Sequence, residues 1–386
     1  MWVKDSFENC IEKVGNTRKI PKKSFLLEGR FPIISQEKDH INGYWNLKED
    51  VFHVTKPVVI FGDHTQTIKY IDFDFVKGAD GVKILQPIND IDTKFFYYFI
   101  MANPIKSLGY ARHYRLLKEL MVPIPPLEEQ KRIVAILDEV FEGIDQAIAN
   151  TEKNIQNARD LFESYLNNIF TQKGEGWVES TFNDVCEKIQ DGAHHSPKVL
   201  SSEKFEGSFL YITSKNIRTN HMILKNLQYT NAEFHNTIYP RCNAEFGDIL
   251  LTKDGANTGN ICLNELHEPI SLLSSVCLIK TKQNVIRSQF LKYYIQSPNG
   301  FKQITGKMTG AAIKRIILRT IKAAVVPYPE INKQDEIIQK LDSILVKTQK
   351  LITNNQQKLT SLKELKQSLL QKAFAGELTS DMSEVA

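Results

Sequence analysis

The sequence predicts a mixed α+β protein in which two globular α/β modules alternate with two long α-helices. Three observations carry this. A stretch of about fifty residues recurs downstream without a gap. The apolar residues inside it follow helical spacing. The segments between are broken into short β-rich runs punctuated by Gly, Asn and Asp.

The repeat opens at Val122-Pro123-Ile124-Pro125 and again at Val326-Pro327-Tyr328-Pro329, 204 residues later. Gln130 then meets Gln334, Ile133 meets Ile337, and Leu137-Asp138 meets Leu341-Asp342. Further on, Ile148 meets Ile352, Leu161 meets Leu365 and Phe170 meets Phe374. An ungapped match of this length, anchored by paired prolines, signals an internal duplication. It sets boundaries of 1–121 for the first module, 122–173 for the first helical segment and 174–325 for the second module. The second helical segment is 326–378 and the tail 379–386.

The first module holds β-rich runs such as Val58-Val59-Ile60-Phe61, and the second holds Asp248-Ile249-Leu250-Leu251. Trp2-Val3 with Phe7 is echoed by Trp177-Val178 with Phe182, at a shift of 175, so the modules differ by insertions. Phe95-Phe96-Tyr97-Tyr98-Phe99 matches Phe290-Leu291-Lys292-Tyr293-Tyr294 in place and composition. The four tyrosines read as packing residues rather than base-stacking ones.

Each helical segment begins after prolines, which can precede a helix but not sit inside it. In the first, Ile133, Leu137, Val140, Ile144 and Ala147 recur every three or four positions, followed by Ala158, Phe162, Tyr165 and Ile169. The second reads Ile337, Leu341, Ile344, Thr348, Leu351, then Leu359, Leu362 and Leu369. This is a heptad seam with a stutter. Some 44 residues would give a rod of roughly 65 Å. One such helix cannot bury its own stripe, but two can bury each other's as an antiparallel coiled coil with a pseudo-two-fold axis. Ile133, Leu137, Val140, Ile144, Ile337, Leu341, Ile344 and Leu351 are the expected pairing residues. The outer face, with Glu128, Glu129, Gln130, Lys131 and Arg132, reads as a docking surface or as a solvated one.

Charge follows the same division. Residues 1–121 carry 18 basic and 15 acidic side chains, and residues 174–325 carry 18 and 13, whereas 122–173 carry 5 and 9. Positive charge therefore sits mainly in the two modules, as expected of surfaces that meet phosphates. The five cysteines form no C-x-x-C pair and are scattered, so neither a disulfide framework nor a zinc site is expected. The start lacks the layout of a signal peptide and no apolar run would span a bilayer, so a cytoplasmic protein is expected.

Catalytic signatures are missing. Ala102-Asn103-Pro104-Ile105 lacks the second proline and aromatic ring of an adenine-methylating motif. Asp92-Thr93-Lys94 with Asp72 or Asp74 could gather magnesium only if the groups converged. No G-x-x-x-x-G-K-[ST] loop occurs, so no nucleotide use is encoded. No cofactor and no metal are expected, and no membrane contact.

Side chains able to pair with base edges or phosphates, set in Gly-punctuated loops, are the candidate DNA contacts. In the first module they are Asn16, Thr17, Arg18, Lys19, Ser35, Gln36, His64, Gln66, Tyr110, Arg112, His113 and Arg115. In the second they are His194, His195, Ser214, Lys215, Asn216, Arg218, Lys253, Asn257, Thr258, Lys307, Lys314 and Arg315.

The run Val122–Val134 resembles the first conserved region of type I restriction-modification specificity subunits, and Ser368–Leu378 resembles the close of their second. Gly247–Gly255 and Asp191–Pro197 are similar to short motifs of their target recognition domains. The resemblance covers essentially the whole chain. It implies two target recognition domains, two helical spacers, and a complex with two methyltransferase subunits and optionally two restriction subunits. S-adenosylmethionine, ATP and magnesium would belong to those partners. The first module has no clear counterpart of Asp191–Pro197 and offers Gly15–Pro21 instead, so the two modules are expected to read different half-sites. The residues alone also leave open a scaffold that binds proteins through both modules.

Overall fold

The computed structural model describes residues 2–15, 17–109, 111–306 and 315–379, and clusters into two compact units. The first comprises 1–152 with 356–386, the second 153–355. Among the described residues no helix is long and apolar enough to cross a membrane.

The first unit opens on a two-stranded ribbon, Val3–Ser6 against Met121–Ile124, with Val3 opposite Ile124. Its four-stranded antiparallel sheet runs in the order Ile11–Glu12, Val82–Pro87, Val58–Gly62, Ile68–Ile71. Val58–Gly62 is buried along its whole length, which is why it reads as an unbroken apolar run. The helix Thr93–Ala102 packs on this sheet. A second sheet holds Gly43–Trp45, Phe31–Ile34, Phe75–Lys77 and Val51–Phe52 in that order, its middle pair parallel.

The second unit repeats the plan. Val178–Thr181 pairs with Val325–Tyr328, Val178 opposite Tyr328. Cys186–Asp191, Val276–Thr281, Ile249–Thr252 and Ile261–Leu263 form the antiparallel sheet. Gln228–Thr230, Phe209–Ile212 and Ile270–Leu272 form the second, its last two strands parallel. Ser288–Gln296 takes the place of Thr93–Ala102. The ribbons explain both sequence shifts: one strand lies 175 residues and its partner 204 residues from its counterpart.

The two long helices, Leu127–Thr171 and Ile331–Ala375, have 45 residues each. In the first unit Ile133, Leu137, Phe141 and Ile144 share a core with Leu370 and Ala373, and Lys366 Nζ lies 2.7 Å from Asp145. In the second, Leu166 and Phe170 share one with Ile337, Leu341, Phe290, Tyr293 and Tyr294.

Two pairing expectations are corrected. Val140 is 37% exposed and Leu351 48%, whereas Phe141 and Thr348 are buried. A step of four from Leu137 returns over the seam at Phe141, and a step of three turns Val140 to its edge. In the second helix the seam passes through Leu341 and Thr348 to the half-buried Ile352, which leaves Leu351 outside.

Gln130 is also corrected, since it is fully buried rather than on an outer face. Its Oε1 accepts from Asp92 N at 2.8 Å, and its Nε2 donates to Asp90 O and Pro125 O, each at 2.8 Å. Gln334 does the same for Arg287 N at 2.9 Å, Val285 O at 3.0 Å and Pro329 O at 2.8 Å. Each glutamine ties the start of its long helix to the segment before the module's packing helix. Tyr98 and Tyr293 donate their hydroxyls to Asp138 and Asp342 on the same two long helices. Burial and these carboxylates push both phenols far above their usual range.

Candidate nucleic-acid interface

The central strand of each antiparallel sheet ends in the same construction. After Val58–Gly62 comes Asp63, and after Ile249–Thr252 comes Lys253. Asp63 N donates to Gly81 O at 2.7 Å, and Lys253 N to Ser275 O at 2.9 Å. Their carbonyls accept from His113 N at 2.8 Å and Ile316 N at 2.7 Å. The residue just before each donor is an exposed arginine, Arg112 in one unit and Arg315 in the other.

A second contact is shared by the two units. Ile20 N donates to Lys77 O at 2.9 Å, and Ile20 O accepts from Ala79 N at 2.7 Å. Ala193 N donates to Leu272 O and Ala193 O accepts from Ser274 N, both at 2.7 Å. Ile20 therefore occupies the place of Ala193, although the residue types around them differ. The glycine of Asp191-Gly192 is required by packing, because a Cβ there would lie 1.9 Å from Leu272 O.

In the first unit these loops border a cleft of about 460 Å³ that brings together Lys19, Gln36, His64 and Arg112. Asp63, Asp80 and Lys83 line it too and were not foreseen. Burial, with Lys19 and Lys83 nearby, pushes the Lys77 ammonium below its ordinary range. The cleft mixes cations with carboxylates, and Lys83 Nζ lies 3.9 Å from Asp63 Oδ2. Arg18 lies 3.6 Å from the buried carboxylate of Asp50. Thr17 is half-buried, Gln66 sits half-buried at φ +59°, and Arg115 is exposed on Tyr114–Leu117.

In the second unit Lys253 Nζ lies 2.8 Å from Asp191 Oδ2, with side chains 7% and 5% exposed. His194 stands outside them, its Nε2 3.8 Å from the same oxygen. Arg315 reaches Asp254 at 3.3 Å. Asn257 Nδ2 donates to Ser214 O at 3.2 Å, and Ser214 N donates to Ser275 Oγ at 3.3 Å. Thr258 Oγ1 donates to Gly255 O at 2.6 Å. His195 is exposed with its ring edge-on to Phe234, Lys215 is exposed, and Arg218 Nη1 donates to Ile217 O at 2.7 Å.

Four candidates are scaffold rather than surface. His113 is fully buried, with Nε2 accepting from Leu108 N and Nδ1 3.0 Å from Asp63 O. Ser35 is 3% exposed and its Oγ accepts from Glu37 N. Asn216 is 8% exposed and its Oδ1 accepts from Thr213 N at 3.0 Å. Lys253 is committed to Asp191. In each case the polar atoms already serve a turn or an ion pair. Asn16, Tyr110, Lys307 and Lys314 lie outside the described residues.

Two of the acids weighed for metal chemistry, Asp92 and Asp74, are committed elsewhere. Asp92 Oδ1 caps Thr93–Ala102 by accepting from Lys94 N and Phe95 N. Lys94 pairs with Asp138 at 2.7 Å, and Asp74 with His53 at 2.7 Å. Among the described residues no group of three His, Cys, Asp or Glu could hold a metal. All five cysteines are buried, and burial pushes Cys186, Cys242 and Cys262 up to about 12.

Paired modules that offer cations and amides from their loops, each built into the end of a long helix, make a recognition protein. A family model described as the type I restriction modification DNA specificity domain matches residues 8–157 and again 174–361, and the chain belongs to that family. Over 366 residues it is 24% identical to the type I restriction enzyme EcoBI specificity subunit of Escherichia coli, covering 87% of this chain and 75% of that one. It is 23% identical over 327 residues to the EcoR124I/EcoR124II specificity subunit of Escherichia coli, covering 80% and 78%. A chain from a solved structure that reports complex assembly and conformational transition of the type I R-M system superposes with a TM-score of 0.71 at 17% identity, covering 98% of each chain. Members of this family supply DNA specificity and are not catalysts, and that is the class of this chain.

Proposed function

We propose that this chain reads a bipartite, asymmetric DNA site and holds a methyltransferase subunit near each half-site. The observation that carries the reading is the strand-end construction that recurs in both units. It sets Arg112 and Arg315 at matching places while the groups beside them differ. Matching frames suit two modules that approach DNA alike, and differing side chains suit two different half-sites.

In this reading residues 1–121 and 174–325 are the target recognition domains. Residues 122–173 and 326–378 are helical spacers, and 379–386 is a tail. The spacers pair as an antiparallel coiled coil. The sharing of one core by the start of one long helix and the end of the other, in each unit, supports that. A rod of roughly 65 Å is long enough to leave on the order of 15–20 base pairs between the ends, so the middle of the site goes unread. The exposed Glu128, Lys131 and Arg132 are available to a partner. The complex holds two methyltransferase subunits and optionally two restriction subunits, in the cytoplasm. S-adenosylmethionine, ATP and magnesium enter with those partners, and the methylated base is flipped out by them.

The DNA contacts are the exposed and half-buried candidates. In the first module these are Thr17, Arg18, Lys19, Gln36, His64, Gln66, Arg112 and Arg115. In the second they are His194, His195, Ser214, Lys215, Arg218, Asn257, Thr258 and Arg315. The test is duplex binding by the complex with its methyltransferase subunits, measured between 50 and 200 mM salt. Affinity is expected to fall steeply with salt. Arg112→Ala is expected to cost about tenfold and act on the first half-site, and Arg315→Ala the same on the second. Binding that ignores salt and both substitutions contradicts the proposal and favours a protein scaffold.

A further inference from the structure

Gln36 is held on three sides. Thr65 Oγ1 donates to Gln36 O at 2.6 Å, and the Gln36 side-chain Oε1 accepts from His64 N at 3.2 Å. Gly81, at φ +75°, lies beneath the amide. A Cβ at that position would come within 2.7 Å of Gln36 Oε1 and 2.9 Å of His64 Cδ2. The backbone thus leaves room for this amide and fixes its orientation, because only the oxygen end can accept from an N–H. Gln36 Nε2 has no partner among the described residues, and Gln36 lines the cleft with Lys19, Lys83, Arg112 and Asp80.

Resting on the DNA-reading function above, we propose that Gln36 is a specificity-determining residue of the first module, whose Nε2 donates to a hydrogen-bond acceptor on a base edge in the major groove. The acceptors there are guanine O6 and N7, adenine N7 and thymine O4, whereas cytosine N4 and adenine N6 are donors. A glutamine free at both ends could contact adenine through N6 and N7 together. With its oxygen turned to His64 N, Gln36 presents its amine, and so a donor, to the cleft. The neighbouring lysines and arginine are donors as well.

Gln36→Glu is the informative variant. One carboxylate oxygen can keep the bond to His64 N, while the other presents an acceptor where wild type presents a donor. Gln36→Met removes the donor without adding a charge.

The experiment takes the complex with its methyltransferase subunits and the motif it methylates. Binding is measured by competition on duplexes in which first-half-site acceptors are deleted one at a time. Those duplexes carry 7-deazapurines, 2-aminopurine for guanine and 5-methyl-2-pyrimidinone for thymine. One such deletion is expected to weaken wild-type binding about tenfold and to have no further effect on Gln36→Met. Gln36→Glu is expected to lose about tenfold or more on the native site and to shift preference at that one position towards a base with a major-groove amine, cytosine or adenine. The second half-site is expected to keep its readout throughout. The proposal is overturned if no deletion in the first half-site weakens wild type, whether or not a variant folds. It is equally overturned if Gln36→Met weakens all sequences uniformly, the mark of a phosphate contact, or changes nothing. If the wild-type complex itself methylates no motif that depends on this chain, the broader reading fails instead.

Discussion

Lys253 and Asp191 form an ion pair of 2.8 Å in which neither side chain is a tenth exposed, and Asp191 Oδ1 has no partner among the described residues. Lys253 follows the central strand and Asp191 ends the outer one, so the pair stitches a sheet to the loop that carries His194. Removing either partner strands a buried charge, at a cost of about 3–5 kcal/mol. Lys253→Met and Asp191→Leu should each lower the denaturation midpoint sharply, and the double variant should recover most of the loss. A double variant as unstable as the singles would mean the pair is not the cause.

Gln130 and Gln334 should cost alike when replaced. Each leaves one backbone N–H and two carbonyls without a partner, which is worth about 2–4 kcal/mol. Gln130→Leu and Gln334→Leu are expected to destabilise the full chain equally in urea titrations. A loss below about 1 kcal/mol in either would show that water replaces the amide.

Phe141→Ala should cost about 3–5 kcal/mol, whereas Val140→Ala should cost less than about 1. The difference, read by thermal melting, tests the course of the seam. The reverse order would restore the position that helical spacing alone suggested.

Two buried lysines give stability a pH dependence. Burial pushes Lys69 and Lys292 down to about 8, against the opposing pull of Asp39 on one and Asp342 on the other. Below pH 8 the folded and unfolded chains both hold the protons, and the cost of burying the charge is present in full. Between pH 8 and about 10 the folded chain releases them first, so unfolding takes up protons and stability rises with pH. The gain is on the order of 1–2 kcal/mol per group from pH 7.5 to 9.5. The Lys292 ammonium lies 4.4 Å from the Tyr293 ring centre. Lys292→Met should be more stable at pH 7.5 and show a flatter profile. A less stable variant with an unchanged profile would sink this account.

The duplication, the two helices and the division of charge were legible because each is written over tens of residues. The sheets were not, since strands of two to six residues are too short for their periodicity to give an order. Lys253 looked like a loop cation because its partner Asp191 lies 62 residues upstream and only the fold joins them. Gln130 looked like surface because a polar side chain at the start of a helix usually is. Its recurrence as Gln334, in copies that differ at most positions between, was the available sign of a buried role. Sequence suggested Gly15–Pro21 only as a substitute for Asp191–Pro197 and could not set Ile20 opposite Ala193, because that correspondence is made by backbone hydrogen bonds, which constrain residue type weakly.

The central claim is that this chain dictates where DNA is modified, and methylation mapping tests it most directly. The chain is expressed with its candidate methyltransferase subunit, and N6-methyladenine is mapped across host DNA. The account predicts one two-part motif with an unread spacer of fixed length, absent when the chain is omitted. Methylation that persists in the same motif without this chain would contradict it.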